Sequence, residues 1–165
     1  MPSYLVTGGS GQLGQCFHAV AKESPAINLF FTSRNEVDIT RSETLANFYS
    51  KNPFDGIINC AAYINVDQAE KEEESAFKIN TEGLQNLIDF AEEKKLSIIH
   101  FSTDYVFDGN SSEPYPEEAA TNPIGIYGNS KLKGEVHLSK SSCKNVTIRI
   151  SWLFSPFGKN FVKTI

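Results

Sequence analysis

The chain has 165 residues, 15 of them basic and 20 acidic, for a formal net charge of −5. A chain of that length suits one domain that buries roughly two thirds of its unfolded surface without a disulfide or metal staple. The acidic balance and the absence of any Lys/Arg-rich run argue against a nucleic-acid partner, and no stretch approaches the roughly 18 apolar residues of a membrane span.

Cys16, Cys60 and Cys143 are odd in number and widely spaced, with no Cys-x-x-Cys, which fits free thiols in a reducing cytoplasm. Met1-Pro2-Ser3-Tyr4-Leu5-Val6 runs straight into a strand and lacks the features of a signal peptide.

Residues 4–7 read as the first strand. Gly8-Gly9-Ser10-Gly11-Gln12-Leu13-Gly14 follows and opens a helix over 12–22. Glycines at Gly8, Gly11 and Gly14, or at Gly9, Gly11 and Gly14, serve one physical need. One allows a tight turn, one lets backbone approach a pyrophosphate, and one lets helix and strand pack closely. The helix N-terminus offers free N–H groups to phosphates. An ordinary Gly-rich turn is the bland reading, and the strand-turn-helix context argues against it.

Residues 28–32 form the second strand. A dinucleotide site that takes NAD usually has an acid there; here Thr32-Ser33-Arg34 stands in its place. A guanidinium pairs bidentately with phosphate oxygens, so Arg34 favours NADPH through its 2′-phosphate. Glu36 close by weakens that argument and leaves NADH as the alternative.

Thr40-Arg41-Ser42-Glu43 reads as a capping box that starts a helix over 40–51. Residues 56–60 form the third strand, and Asn59-Cys60-Ala61-Ala62-Tyr63 at its end leaves room for a dinucleotide. Glu70-Lys71-Glu72-Glu73-Glu74 reads as a solvated face at the start of a long helix over 72–95.

Residues 97–102 form the fourth strand, with His100 expected in the core. Residues 103–123 form a loop long enough to suggest function. A helix over 127–139 and a strand over 146–151 complete a β-α alternation. All five strands look apolar on both faces, as buried parallel strands do. The fold expected is α/β, a doubly wound parallel sheet in one domain over 1–165. Residues 158–165 look like a helix cut off in its first turns, which suggests a piece of a longer protein. His18 and His137 show no ligand-like spacing, so no metal site is expected.

Tyr127 and Lys131 lie four apart, on one face of their helix. An ammonium beside a phenol favours phenolate, so the expectation is a Tyr127 pKa lowered toward neutrality and a residue able to pass a proton. Thr103, at the carboxyl end of the fourth strand, offers a hydroxyl to a carbonyl oxygen; a local backbone cap is the bland reading.

Together these motifs resemble the extended short-chain dehydrogenase/reductases, and within them the dTDP-4-dehydrorhamnose reductase family. The carrying segments are Gly8 to Gly14 with Gln12-Leu13, Val37-Asp38-Ile39-Thr40, residues 57–63 with Val66-Asp67-Gln68-Ala69-Glu70, Ser102-Thr103-Asp104-Tyr105-Val106-Phe107-Asp108-Gly109, residues 123–131, Arg149-Ile150-Ser151-Trp152 and Gly158-Lys159-Asn160-Phe161.

The resemblance implies a Rossmann fold and reduction of the C4 ketone of dTDP-4-dehydro-L-rhamnose with NAD(P)H, the last step of dTDP-L-rhamnose synthesis. By it, Tyr127 protonates the nascent alkoxide. Lys131 lowers the phenol's pKa and holds the nicotinamide ribose, and Thr103 orients the ketone. Asp38 and Ile39 would meet the adenine end, while Ala61, Ala62 and Tyr63 would line the dinucleotide. Tyr105 and Trp152 are candidates for the sugar pocket.

Some relatives dimerise around Mg²⁺ through an acid where this chain has Cys16, a poor Mg²⁺ ligand. A homodimer is left open, but its magnesium-bridged form is doubtful. The family carries a C-terminal substrate lobe beyond these residues, so this chain alone is expected to bind NADP(H) weakly or not at all and to turn over poorly. The alternatives are a non-catalytic NADP-binding regulatory subunit of a methionine adenosyltransferase and another nucleotide-sugar epimerase or dehydratase.

Overall fold

A computed structural model describes all residues, 1–165. Five strands form one parallel sheet: β1 (Ser3–Thr7), β2 (Asn28–Phe31), β3 (Gly56–Asn59), β4 (Ser97–Thr103) and β5 (Asn145–Ile150). Their order in space is β2-β1-β3-β4-β5. The connection from β1 runs outward to β2, and every later connection runs the other way. The direction therefore reverses between β1 and β3, the point at which open α/β sheets bind ligands.

The helices are α1 (Gln12–Ala21), α2 (Ser42–Lys51), α3 (Val66–Ala69), α4 (Glu73–Phe77), α5 (Gly83–Lys94) and α6 (Ile126–Ser139). Leu5, Ile57 and Ile98 align across β1, β3 and β4. They share one core with Leu45 of α2, Leu84, Leu87, Ile88 and Ala91 of α5, and Leu138 of α6. Alternate strand residues point the other way, toward α1, where Phe17 packs on Phe101 and His18 stacks on Phe31. No helix is long and apolar enough to cross a membrane.

Four expectations need correction. The capping box does not form: α2 starts at Ser42 behind Arg41, with no side-chain cap. The Thr40 hydroxyl donates instead to Asp38 Oδ1 at 2.8 Å, and Glu43 pairs with Arg41. Asp38 Oδ1 also accepts the Thr40 N–H, which holds Thr40 in the turn ahead of the helix and leaves Arg41 in the cap position.

The helix expected over 72–95 is interrupted by a π-helical turn, Lys78–Glu82. Asn80 and Thr81 are buried there, and their side chains bond to other segments.

β5 is not buried on both faces: Val146 and Ile148 are exposed. α6 covers only one side of this edge strand. The run of charges at 70–74 is exposed but not merely solvated. Glu70 Oε1 accepts the Ile126 N–H at 2.8 Å, at the start of α6, and Glu72 Oε2 accepts the Tyr63 hydroxyl.

The loop after β4 begins with a 3-10 turn, Asp104–Val106, and then folds back on itself. Tyr115 stacks on Phe107 with centroids 4.4 Å apart, and its hydroxyl donates to Asp108 Oδ1.

Candidate functional site

The turn after β1 meets the end of β3 at the reversal point. Gly8 has φ +64°, and a Cβ on it would lie 2.8 Å from the Ala61 nitrogen, so only glycine fits. A Cβ on Gly14 would collide with the Gly8 oxygen and with Gly9, which draws α1 tight against the turn. On Gly11 a Cβ would meet only the Gly8 oxygen, at 3.2 Å; its other side is open. Gly11 starts α1 without a side-chain cap. The N–H groups of Gln12, Leu13 and Gly14 have no acceptor within the chain. This is a cradle shaped for an anionic group at a helix N-terminus, and it fits a dinucleotide pyrophosphate.

The cradle opens into a cavity of about 500 Å³. Of the expected cofactor residues, Gly8, Gly11, Gln12, Leu13, Arg34, Asp38, Ile39, Ala61, Ala62, Tyr127 and Lys131 line it, as do Thr103, Tyr105 and Trp152. Gly14 supports the cradle from behind. Tyr63 does not line the cavity: its N–H donates to Asn80 Oδ1 and its phenol to Glu72.

At the β2 end, Arg34 Nε donates to Asp38 Oδ2 at 3.2 Å, leaving the two terminal guanidinium nitrogens uncommitted. The Asp38 carboxyl sits below its usual range: bonds from Thr40 and Arg34 outweigh partial burial. Glu36 is turned away, held by the Ser33 N–H at 2.9 Å and its hydroxyl at 2.8 Å. The acid that weakened the case for Arg34 is thus occupied elsewhere.

At the β4 end the turn and α6 converge. A Cβ on Gly128 would overlap the Tyr105 carbonyl oxygen, so that glycine lets α6 close on the residues after Thr103. Tyr127 packs edge-on against Tyr105, with centroids 5.6 Å apart.

The expected lowering of the Tyr127 pKa is not found. Burial raises it, as do Asp104 and Tyr105, while the Thr103 hydroxyl beside the phenol partly offsets this. Lys131 contributes nothing, because its Nζ turns inward and donates to the Phe101 carbonyl oxygen at 2.6 Å. Burial brings the lysine itself down to about 8, against a favourable Glu135. Spacing placed both residues on one helix face, but not both functional atoms together.

The Thr103 hydroxyl donates to Asp104 Oδ1 at 3.1 Å and accepts the Tyr105 N–H at 3.2 Å. Ser151 holds the other oxygen of Asp104 at 2.7 Å. Trp152 is exposed, has φ +50° and packs edge-on against Phe161. No group of three or more His, Cys, Asp or Glu is arranged so that it could hold a metal ion. Cys16, Cys60 and Cys143 are free, and burial pushes the Cys60 thiol up to about 12.

Sequence reasoning missed several residues here. Asn80 ties the site together: its Nδ2 donates to Ser130 Oγ on α6 and to the Tyr63 carbonyl oxygen. A polar Asn-Thr pair inside an otherwise helical run was the available signal. Asp104 lay within a quoted motif without a role. Asn59 and His100 form part of a buried polar line under the cavity.

Residues 3–165 match the family described as the RmlD substrate binding domain. The chain belongs to that family. It is 39% identical over 165 residues to a dTDP-4-dehydrorhamnose reductase of Aggregatibacter actinomycetemcomitans, covering 100% of this chain and 56% of the relative. A dTDP-4-dehydrorhamnose reductase of Sinorhizobium fredii is 39% identical over 158 residues, 96% of this chain and 53% of the relative.

A solved dTDP-4-dehydrorhamnose reductase of Bacillus anthracis, in complex with NADP, superposes with a TM-score of 0.94 at 35% identity, over 99% of this chain and 58% of that one. The chain spans about half the length of the curated relatives it matches. The resemblance read from the motifs is thereby established at the level of family. The regulatory-subunit alternative draws no support from these relatives.

Proposed function

We propose that the whole protein is an NADPH-dependent reductase of the C4 ketone of dTDP-4-dehydro-L-rhamnose, and that this chain carries its dinucleotide half. The observation that carries the reading is one continuous cavity. It runs from Arg34 at the β2 end, across the glycine cradle after β1, to Tyr127, Thr103 and Lys131 at the β4 end. The named reductase relatives, one solved with NADP, support the same reaction class.

The free N–H groups of Gln12 and Leu13 bind pyrophosphate oxygens. Arg34 offers its uncommitted nitrogens to a 2′-phosphate, with Asp38 holding the guanidinium in place. Ala61 and Ala62 leave room along the strand ends. When bound, NADPH supplies the hydride.

Tyr127 supplies the proton to the ketone oxygen. Its raised pKa keeps it protonated at neutral pH, and a positive charge brought beside it would make it a better acid. Thr103 keeps a hydroxyl at the ketone once its proton leaves Asp104 for the substrate oxygen. Lys131 turns outward from Phe101 to the ribose, bringing its charge toward the phenol. Tyr105 and Trp152 face the sugar. Three free thiols fit a cytoplasmic setting.

The test is NADPH absorbance after addition of dTDP-4-dehydro-L-rhamnose to the whole protein. Equimolar NADPH loss is the expected result. Conversion of the sugar without net NADPH loss would assign the site to epimerisation instead.

A further inference from the structure

A line of four buried polar side chains runs beneath the cavity: Thr7, Asn59, His100 and Lys131. Thr7 Oγ1 donates to Asn59 Oδ1 at 2.7 Å. The Ala61 N–H reaches the same oxygen at 3.2 Å. A backbone N–H can only donate, so it determines which end of the amide is oxygen. The amide nitrogen of Asn59 therefore faces His100 Nδ1, at 3.1 Å. Nδ1 accepts, and a neutral imidazole that accepts at Nδ1 carries its proton on Nε2. That nitrogen lies 3.5 Å from Lys131 Nζ.

An Nε2–H aimed at an ammonium sets donor against donor. Aimed at a neutral amine, it meets a lone pair. Lys131 keeps its bond to the Phe101 oxygen in either state. Reversing the Asn59 amide would relieve the opposition, but it would turn an NH₂ against the Ala61 N–H inside the protein, which is costly. A second proton on His100 is opposed by burial and by the neighbouring lysine.

We propose that His100 is a positioning residue of this site, whose tautomer, fixed by Asn59, selects the charge state of Lys131. The catalytic consequence rests on the reading of Tyr127 and Lys131 given above; the protonation itself does not.

The titratable groups around the lysine come from three other directions. Glu135, one turn on along α6, favours the charge. That carboxylate is shared with Arg149 of β5, whose Nη2 donates to it at 2.7 Å. Tyr127 precedes the lysine by one turn and is neutral below its raised pKa. Cys60, at the end of β3, stays a thiol. His100 alone meets Nζ with a proton that can be placed on either of two atoms. The lysine already titrates near 8, so a modest push decides whether it is charged at physiological pH.

The test is NMR on the full chain. Nitrogen-15 spectra of His100 report the tautomer, and carbon-13 at Lys131 Cε reports its titration, with Lys131→Met assigning the signal. The expected result is an Nε2-protonated His100 between about pH 6 and 9, whose Nε2 shift follows the lysine's titration. His100→Phe should raise the Lys131 midpoint by about one pH unit, a tenfold change in proton affinity.

An Nδ1-protonated His100, or an unchanged midpoint in the variant, overturns the proposal. A loss of packing alone would not move the midpoint in that direction, because a phenyl ring leaves the lysine no better solvated. Should His100→Phe fail to fold, the tautomer and its coupling in the unmodified chain decide the matter. Absence of ketosugar turnover would count against the proposed function and leave this titration unaffected.

Discussion

Lys131 Nζ donates to the Phe101 carbonyl oxygen at 2.6 Å, and it does not reach the phenol of Tyr127 one turn earlier on the same helix. The site therefore holds its positive charge in the sheet rather than beside the group it would tune. Catalysis in this account requires the lysine to move outward as the dinucleotide binds.

The buried lysine should leave a mark on alkaline stability. Its pKa falls from 10.5 unfolded to about 8 folded. Between those values the unfolded state binds more protons, so stability rises with pH there, by up to about 3 kcal/mol. Cys60, raised from 9.0 to about 12, acts in the opposite sense over its own window. The difference between wild type and Lys131→Met cancels the cysteine. Denaturant melts should show the wild type gaining on the variant as pH rises from 8 to 10.5, and equal slopes would contradict the burial argument.

Arg34 should discriminate between cofactors. Arg34→Ala removes charge-assisted bonds to a 2′-phosphate and should weaken NADPH binding about tenfold, with NADH unchanged within about twofold. Isothermal titration with each dinucleotide reads this directly. Equal losses for both would assign Arg34 only to holding Asp38.

Two glycines should separate folding from binding. Gly14→Ala sets a Cβ 2.5 Å from the Gly8 oxygen and 2.6 Å from Gly9 Cα, both backbone atoms. It should cost about 1–3 kcal/mol of stability as well as affinity. Gly11→Ala meets only one atom, at 3.2 Å. It should leave stability within about 0.5 kcal/mol yet weaken NADPH binding at least about tenfold, because its methyl enters the space for the pyrophosphate. Thermal melts and titrations on both variants check the split.

Asn80→Ala should loosen the whole site. It removes one bond to Ser130 on α6 and two to the backbone of Tyr63. The loss should be about 2–3 kcal/mol, a Tm drop of roughly 5–10 °C. A drop under about 2 °C would show that α6 is held by its apolar contacts instead.

Much of this was legible in the residues. The β-α alternation and the glycine turn located the sheet and the cradle, because strand burial and left-handed backbone have few sequence solutions. The spacing of Tyr127 and Lys131 also placed them on one face.

Spacing could not say where a flexible lysine ends. The competing acceptor, the carbonyl of Phe101, lies 30 residues away and appears only when β4 is packed against α6. The same holds for Asn80, whose partners Tyr63 and Ser130 lie 17 and 50 residues off. The capping box failed for a local reason: Asp38, two residues before Thr40, accepts the Thr40 N–H and hydroxyl and holds that residue in the turn before the helix. Exposure of β5 depends on what packs beside an edge, which apolar content does not reveal.

The role of Tyr127 is tested by the rate of NADPH oxidation by the whole protein with dTDP-4-dehydro-L-rhamnose, comparing wild type with Tyr127→Phe. That substitution removes one oxygen and leaves the ring packed on Tyr105. In Tyr127→Phe kcat should fall by about 10²–10⁴-fold, with NADPH affinity nearly unchanged. An undiminished kcat in Tyr127→Phe would contradict that role.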